Sequence, residues 1–494
     1  MKNNLFLFTF ILATFFTLPA GAATKLDFAT VDQLTYRCYM EKKWDSVILV
    51  GKQAIRQNID FYYLRARMGI AFYEKEDYFP AVTHLQKARQ FNADDPVIAN
   101  YLYYSYLYTN RVEEAGLLKP DINKGMRPSE VHAEGGYTIS SDRAPDNLAT
   151  LMGSDSIYGE QDLYGNNYYG NLALKMKISN RIGLSLSYNY LNFTKTKYIQ
   201  YGRGEQHLES VKDTVWDPIY SGQIYNYSYP WVVYDTSFTY QVKQQEFYAG
   251  VTLAPGAGFR IMPAFHFLHV AYTATNPSYR FDTVQYPSYY TTYDDSLYTT
   301  PDTLLAYSFP QQDTSFNNYV AALAVTKYFG LFNIGLSGSW SNLNGKTQKQ
   351  LGISLTYFPL GNLNFYGTTT ATGFFQKNAK RLLLSQVLGV KITPWMWGEA
   401  NFYYGDYTNA NIFNGSIVYN NSDIIDYRGG ATLLFLAGKH LQFSLIYQYS
   451  RKESQQVYYI KTQSSGSNEI NEIQKTKNNP YNTNTLIGGI TWKL

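Results

Sequence analysis

The side chains able to do chemistry are few and scattered. Histidines stand at 84, 132, 207, 266, 269 and 440, and Cys38 is the single cysteine. On a strand, His266 and His269 have opposite parity, so they face opposite sides and cannot share a metal. His132 falls in register with Glu134. No His-Glu-x-x-His motif, cysteine pair or nucleophile elbow occurs. One cysteine allows no internal disulfide. These residues assign no catalytic group, cofactor or metal, and a surface enzyme is the least supported reading. Glu134, Lys175, Lys177, Glu246, Lys391 and Glu399 share the polar register of alternating segments. Their mixed signs describe either a hydrated pore without strong ion preference or a salt-bridged, plugged interior.

The elements that must position these groups follow from the composition. The 494 residues include 49 Tyr, 29 Phe and 36 Gly, with 16% charged residues and a mean hydropathy of −0.32. Many aromatics without long apolar runs suit a membrane β-barrel, whose strands show lipid one residue in two and whose Tyr and Trp form interfacial girdles. The net charge of +4 is spread along the chain with no basic block, so nucleic-acid binding has no support.

The start reads as a secretory signal over residues 1–22. Met1-Lys2-Asn3-Asn4 is a short basic region, Leu5 to Leu18 is largely apolar, and small residues allow cleavage after about Ala22. The apolar run is shorter than the ~20 residues a membrane helix needs.

Residues 24–125 carry a helical pattern with a period of 34. Val47, Ala81 and Ala115 fall at that spacing, as do Trp44, Tyr78 and Val112. The middle copy is clearest: Met68-Gly69, Phe72, then Ala81, Leu85 and Ala88, then a turn at Asn92–Pro96. About three copies fit, the third cut short at Lys119-Pro120. Such repeats commonly dock a protein on their concave face. The cluster Tyr101, Tyr103, Tyr104, Tyr106 and Tyr108 is expected to pack against the barrel rim or a neighbour.

From residue 131 to 494 alternation replaces the helical period. Leu336, Trp340, Leu351, Ile353 and Leu355 alternate with small or polar residues. Ile446 breaks the polar register of its segment. Fourteen strands are expected, at about 131–141, 167–179, 181–196, 239–254, 259–274, 316–329, 331–342, 347–358, 363–375, 382–392, 395–407, 426–436, 440–452 and 483–494. Their connections alternate between short turns and mostly long loops, the asymmetry of bacterial outer-membrane barrels. The long loops, with Ser288–Asp295 and Trp216–Tyr220 typical, are expected to cover the mouth, with short hairpins extending the wall. Stacking on sugars is the sharper alternative.

The last ten residues end in Gly489-Ile490-Thr491-Trp492-Lys493-Leu494, with one greasy face. This resembles the closing strand that the insertion machinery reads in outer-membrane barrels, with Gly489, Trp492 and Leu494 as its marks. The period of 34, with Gly69, Ala81, Leu85 and Ala88, resembles the tetratricopeptide repeat. It departs from that pattern at Thr35, Arg65 and Pro96. Together the chain resembles the YaiO-type barrels of Gram-negative bacteria, and in architecture the exporters of exopolysaccharides. The expected fold is therefore α plus all-β: a short tetratricopeptide-like repeat, then an antiparallel transmembrane β-barrel of about 14 strands. The resemblance implies outer-membrane lipid around the barrel, with the repeats and the C-terminus in the periplasm. It also implies an envelope partner on the repeats and a channel or export role. A non-conducting assembly factor is the alternative.

Overall fold

A computed structural model describes residues 26–118, 125–143, 156–204, 207–217, 220–228, 231–291, 296–420, 422–463 and 470–494. The expected signal lies outside the described residues, as do the side chains of Trp216–Tyr220 and Ser288–Asp295.

Among the described residues six helices come first: α1 (Phe28–Met40), α2 (Trp44–Arg56), α3 (Tyr62–Glu74), α4 (Tyr78–Phe91), α5 (Pro96–Tyr108) and α6 (Val112–Leu118). The period of 34 is visible in the backbone. Lys42, Glu76 and Asn110 each turn the chain in the left-handed region, at φ 54°, 60° and 57°. The next amide in each copy closes the turn: Lys43 N–H donates to the Cys38 carbonyl, Asp77 to Phe72 and Arg111 to Tyr106. Val47, Ala81 and Ala115 are all buried. Gly69 is required by close approach, since a Cβ there would lie 2.6 Å from Leu85 Cγ. Ala81, Leu85 and Ala88 are fully buried. Asp95 caps α5 through the Val97 and Ile98 amides (2.7 and 3.1 Å), which leaves Pro96 the first helical position, where no amide is needed.

Two residues that depart from the repeat pattern are built into polar contacts. Arg65 forks onto Asp60 (2.6 and 2.7 Å) and reaches His84 Nδ1 at 3.0 Å. Thr35 is buried, bonds the Val31 carbonyl at 2.8 Å and accepts from Arg67 at 2.9 Å. Burial first, then the Arg65 charge, lower His84 to about 4. A folded-state value below the usual 6.5 means that the unfolded chain binds the extra proton. Helical stability should therefore fall as pH drops from about 6.5 to about 4, by at most about 3 kcal/mol. Denaturant melts followed at 222 nm should show this slope, and His84→Asn should remove it.

The chain forms two compact units, up to Ser105 and from Tyr106. Tyr101 belongs to the first, edge-on to Tyr73 at 4.9 Å. Tyr106 belongs to the second, where the Arg111 guanidinium lies between its ring and that of Tyr328, 4.7 Å from each. Glu114 pairs with Arg111, and Glu113 lies 3.4 Å from Arg260. The last helical turn is thereby pinned on the barrel. Tyr104 and Tyr108 are exposed.

The strands are β1 (Arg127–Ser140), β2 (Ser156–Ser179), β3 (Ile182–Gly204), β4 (His207–Asp217), β5 (Tyr220–Ser228), β6 (Trp231–Gly256), β7 (Phe259–Thr275), β8 (Ser278–Thr291), β9 (Ser296–Ser308) and β10 (Gln311–Phe329). They continue as β11 (Phe332–Ser341), β12 (Gln348–Tyr357), β13 (Phe365–Gln376), β14 (Ala379–Thr393), β15 (Met396–Tyr404), β16 (Asn411–Ile412), β17 (Ile417–Val418), β18 (Ile424–Ala437), β19 (Leu441–Gln463) and β20 (Ile470–Lys493). Among the described residues fourteen close an antiparallel barrel in the order β1-β2-β3-β6-β7-β10-β11-β12-β13-β14-β15-β18-β19-β20. β20 shuts it against β1, with Trp492 opposite Val131 and Gly489 opposite Glu134. The expected number of strands is the number observed.

The wall is greasy outside and polar inside. Leu336, Leu351, Ile353, Leu382, Leu486 and Trp492 are all exposed on the outer face. Ser337, Gly352 and Ser354, one residue away, face the bore. This is the inverse of a soluble core and the pattern of a lipid-facing wall. No helix among the described residues is long and apolar enough to cross a membrane.

Two expectations need correction. Several strands outrun their expected ends: β19 reaches Gln463 and β20 begins at Ile470. Beyond the greasy belt stretches such as Arg451-Lys452-Glu453-Ser454-Gln455-Gln456 are polar on both faces, so alternation fades there. The hairpins β4–β5 and β8–β9 do extend the structure, as a four-stranded sheet. The connection after β15, however, does not join the mouth.

Candidate functional site: a loop across the bore

Residues 405–423 leave β15 and return to β18, which stand eleventh and twelfth around the barrel. Their tip meets β7 and β10, the fifth and sixth strands. The loop therefore crosses the bore almost along a diameter. Its fold is local in origin. β16 and β17 pair as a miniature hairpin, Ile412 opposite Ile417. Phe413, Asn414 and Gly415 all take positive φ (50°, 56° and 79°), so Asn-Gly supplies a turn other residues would strain to make. Gly415 also sits so close to β10 that a Cβ would be 3.2 Å from Val320.

Each stage of the crossing is tied to the wall. At the root, Arg381 pairs with Asp406 and donates to the Thr408 carbonyl (2.7 Å). Midway, Gln350 of β12 exchanges two bonds with the Asn411 backbone, both 2.8 Å, and Asn411 donates to Ser339 of β11 at 3.0 Å. At the tip, Asn414 donates to the Met262 carbonyl (2.8 Å) and His266 donates to the Gly415 carbonyl (2.7 Å). On the way back Tyr419 accepts from Arg428.

The loop leans on one half of the barrel. Between it and β10–β15 remains a gap of about 100 Å³, lined by Ser339, Gln350 and Tyr403. On its other side lies a lobe of about 370 Å³ against β1–β3, β6 and β18–β20. Glu134, Tyr169, Asn189, Glu246, Arg428 and Lys452 line it together with hydroxyls and amides. Ile446, the break in the polar alternation, faces this lobe. A third chamber of about 610 Å³ lies at the turn end, lined in part by Thr109, Asn110 and Lys493.

The bore charges are tied up. Glu134 accepts from Tyr169 (2.6 Å) and meets His132 Nε2 at 3.0 Å. Glu246 accepts from Asn189 (2.9 Å) and Gln244 (2.5 Å) and lies 3.2 Å from His266 Nε2. Glu399 accepts from Tyr366, Lys175 pairs with Glu130 at 2.8 Å, and Lys391 lies 5.2 Å from the Trp397 ring centre. At the loop's far root, Asp423 accepts from Tyr481 at 2.6 Å, and burial pushes its carboxyl up to about 7.

The histidines do not converge. His266 is buried in the bore, while His269 bonds Asn317 in an exposed position, as parity requires. No group of metal-ligating side chains exists among the described residues. Of the closing-strand marks, Trp492 and Leu494 are exposed. Gly489 faces inward, where a Cβ would lie 3.1 Å from Glu134 Cβ. The sequence reading missed Gln350 of the wall and the loop residues Asn411, Asn414 and Gly415. The signal was present as Asn414-Gly415 flanked by Ile412 and Ile417.

No family model matches the chain, and no curated protein resembles it in sequence. Among solved structures it is similar to the translocator domain of the autotransporter NalP from Neisseria meningitidis, at 7% identity and a TM-score of 0.29, over 80% of this chain and 98% of that one. It is also similar to a TodX monoaromatic hydrocarbon channel mutant, at 5% identity and 0.36, over 74% and 90%. A third is the Acinetobacter baumannii outer membrane protein Omp33, at 8% identity and 0.28, over 74% and 99%. The inverted wall, the closed strand order and the polar interior define a β-barrel of the outer-membrane kind.

Proposed function

We propose that this protein is an outer-membrane channel for small solutes, held narrow by the loop at 405–423. Its helical repeats, tetratricopeptide-like in type, dock an envelope partner in the periplasm. The observation that carries the reading is the one-sided crossing of the bore: the loop fills one half and leaves a lobe of about 370 Å³ in the other. A polymer would not thread this bore unless the loop moved, so the reading favours small solutes over polysaccharide export. In this scheme the closing strand, with Gly489, Trp492 and Leu494, is what the insertion machinery reads. Lipid surrounds the outer face, and neither catalysis nor a cofactor is assigned.

The second reading is a non-conducting anchor whose repeats recruit protein. It is favoured by the turn around Arg111, pinned between Tyr106 and Tyr328. Planar-bilayer recordings separate the two. Small but reproducible unitary currents are expected from the purified full-length protein. Silence both here and after loop removal would leave the anchor. Affinity capture with the full-length protein should recover an envelope protein, and recovery of none would count against docking in either reading.

A further inference from the structure

We propose that the loop is latched by a single exchangeable proton held between His266 and Glu246, and that losing this proton frees it. The inference rests on the channel reading for its electrical readout, but the latch itself stands on geometry. A carbonyl oxygen only accepts, so the 2.7 Å contact from His266 Nδ1 to the Gly415 carbonyl needs a hydrogen on Nδ1. The other ring nitrogen lies 3.2 Å from Glu246 Oε2. If both groups are unprotonated there, a ring lone pair faces a carboxylate. One further proton removes the conflict wherever it resides. On Nε2 it makes an imidazolium that donates to both oxygens. On Glu246 it makes an acid that donates to the ring.

No neighbouring group offers an escape. His266 is fully buried. β6 presents Glu246 to it and, edge-on at 5.7 Å, the ring of Tyr248. Asn318 and Val320 of β10 are uncharged, and so are Phe413 to Ser416 of the loop. Glu246 cannot swing away cheaply, since Asn189 and Gln244 hold its oxygens. Without the proton, the conflict is relieved by moving the ring, which carries the loop tip, or by placing the ring's hydrogen on Nε2, which abolishes the bond to the Gly415 carbonyl; either way the latch is released. The lobe beside the loop supplies room for that movement. Proton binding therefore holds the bore narrow, and raising pH widens it.

The test uses the full-length protein in planar bilayers from pH 4 to 9. The open-to-closed ratio should rise with pH by up to about tenfold per unit, the limit for one coupled proton. Glu246→Gln keeps a donor toward the ring without titrating, and should stay narrow throughout. His266→Gln should lose the pH response. Asp423→Asn, at the loop root, should retain it. A second readout needs no current: in a Cys38→Ser background carrying Ser416→Cys, the maleimide labelling rate, divided at each pH by that of a free cysteine peptide to remove the thiolate's own pH dependence, should rise with pH, and this ratio should become flat with His266→Gln. Labelling that responds without conductance would sink the channel reading and keep the latch. A wild-type pH response of that ratio in His266→Gln, with the barrel heat-modifiable and folded, would overturn the latch.

Discussion

Replacing residues 407–421 with a short polar turn should raise unitary conductance several-fold and leave the barrel folded. The first half follows from position. The loop spans from the eleventh and twelfth strands to the fifth and sixth, so nothing else among the described residues divides the bore there. Barrels of eight strands are filled by their own side chains, whereas much larger ones leave a channel. Fourteen lies between, and a crossing segment decides the width. The second half follows from where the loop's partners would be left. Deletion strips Gln350, His266 and Arg428 of hydrogen bonds. A buried polar group left unpaired usually costs about 1–3 kcal/mol. Here the vacated bore fills with water, which satisfies these groups, so the barrel ladder is little affected. Arg381 loses only its bond to the Thr408 carbonyl, and its pairing with Asp406 and its ring contact with Phe374 persist. If the shortened protein folds but conducts as the wild type does, the constriction lies elsewhere, and the turn-end chamber beside Thr109 becomes the candidate.

The barrel was legible because its wall obeys one rule at every residue. Leu351, Ile353 and Leu355 read as outward from parity alone, and the structure leaves all three exposed. His266 and His269 were separable for the same reason. The partner of His266 was not legible. Glu246 reaches it only through the β6–β7 pairing, in which Tyr248 stands opposite His266, and parity says nothing about which residues meet across strands. The crossing loop was obscured by its length. Its hairpin strands are two residues each, too short for alternation to register, and its anchors are single amides on distant strands. Ile446 was the one wall residue that hinted at a lumen not wholly wet. The repeats were legible through small buried residues at fixed spacing, while Arg65 looked like a flaw until Asp60 and His84 were seen around it.

Ile353→Lys should destabilise the inserted barrel by about 2–4 kcal/mol, the cost of a cation at the bilayer midplane. β12 has ten residues, and Ile353 stands near its centre, outward and more than half exposed. Leu336, opposite it on β11, is outward as well, so the lysine has no polar neighbour to reach on that side. Ser354→Lys is the matched control. It lies one residue along, faces the turn-end chamber, and should cost little because water receives the charge. Trp492→Lys is the third arm. Trp492 is outward but sits next to the strand's end, where a lysine can extend to the interface and the cost falls to about 0–1 kcal/mol. Denaturant titrations in lipid vesicles should therefore rank Ile353→Lys far below the other two. A soluble barrel would show no such ranking, because an exposed lysine would be tolerated at all three sites. In cells the order should change: if β20 is the strand that the insertion machinery reads, Trp492→Lys combined with Leu494→Lys will lower the heat-modifiable barrel in the outer membrane despite its small cost in vesicles. Normal assembly of that double variant would remove the insertion role from β20 and leave its part in closure, through Glu134 and Gly489, unchanged.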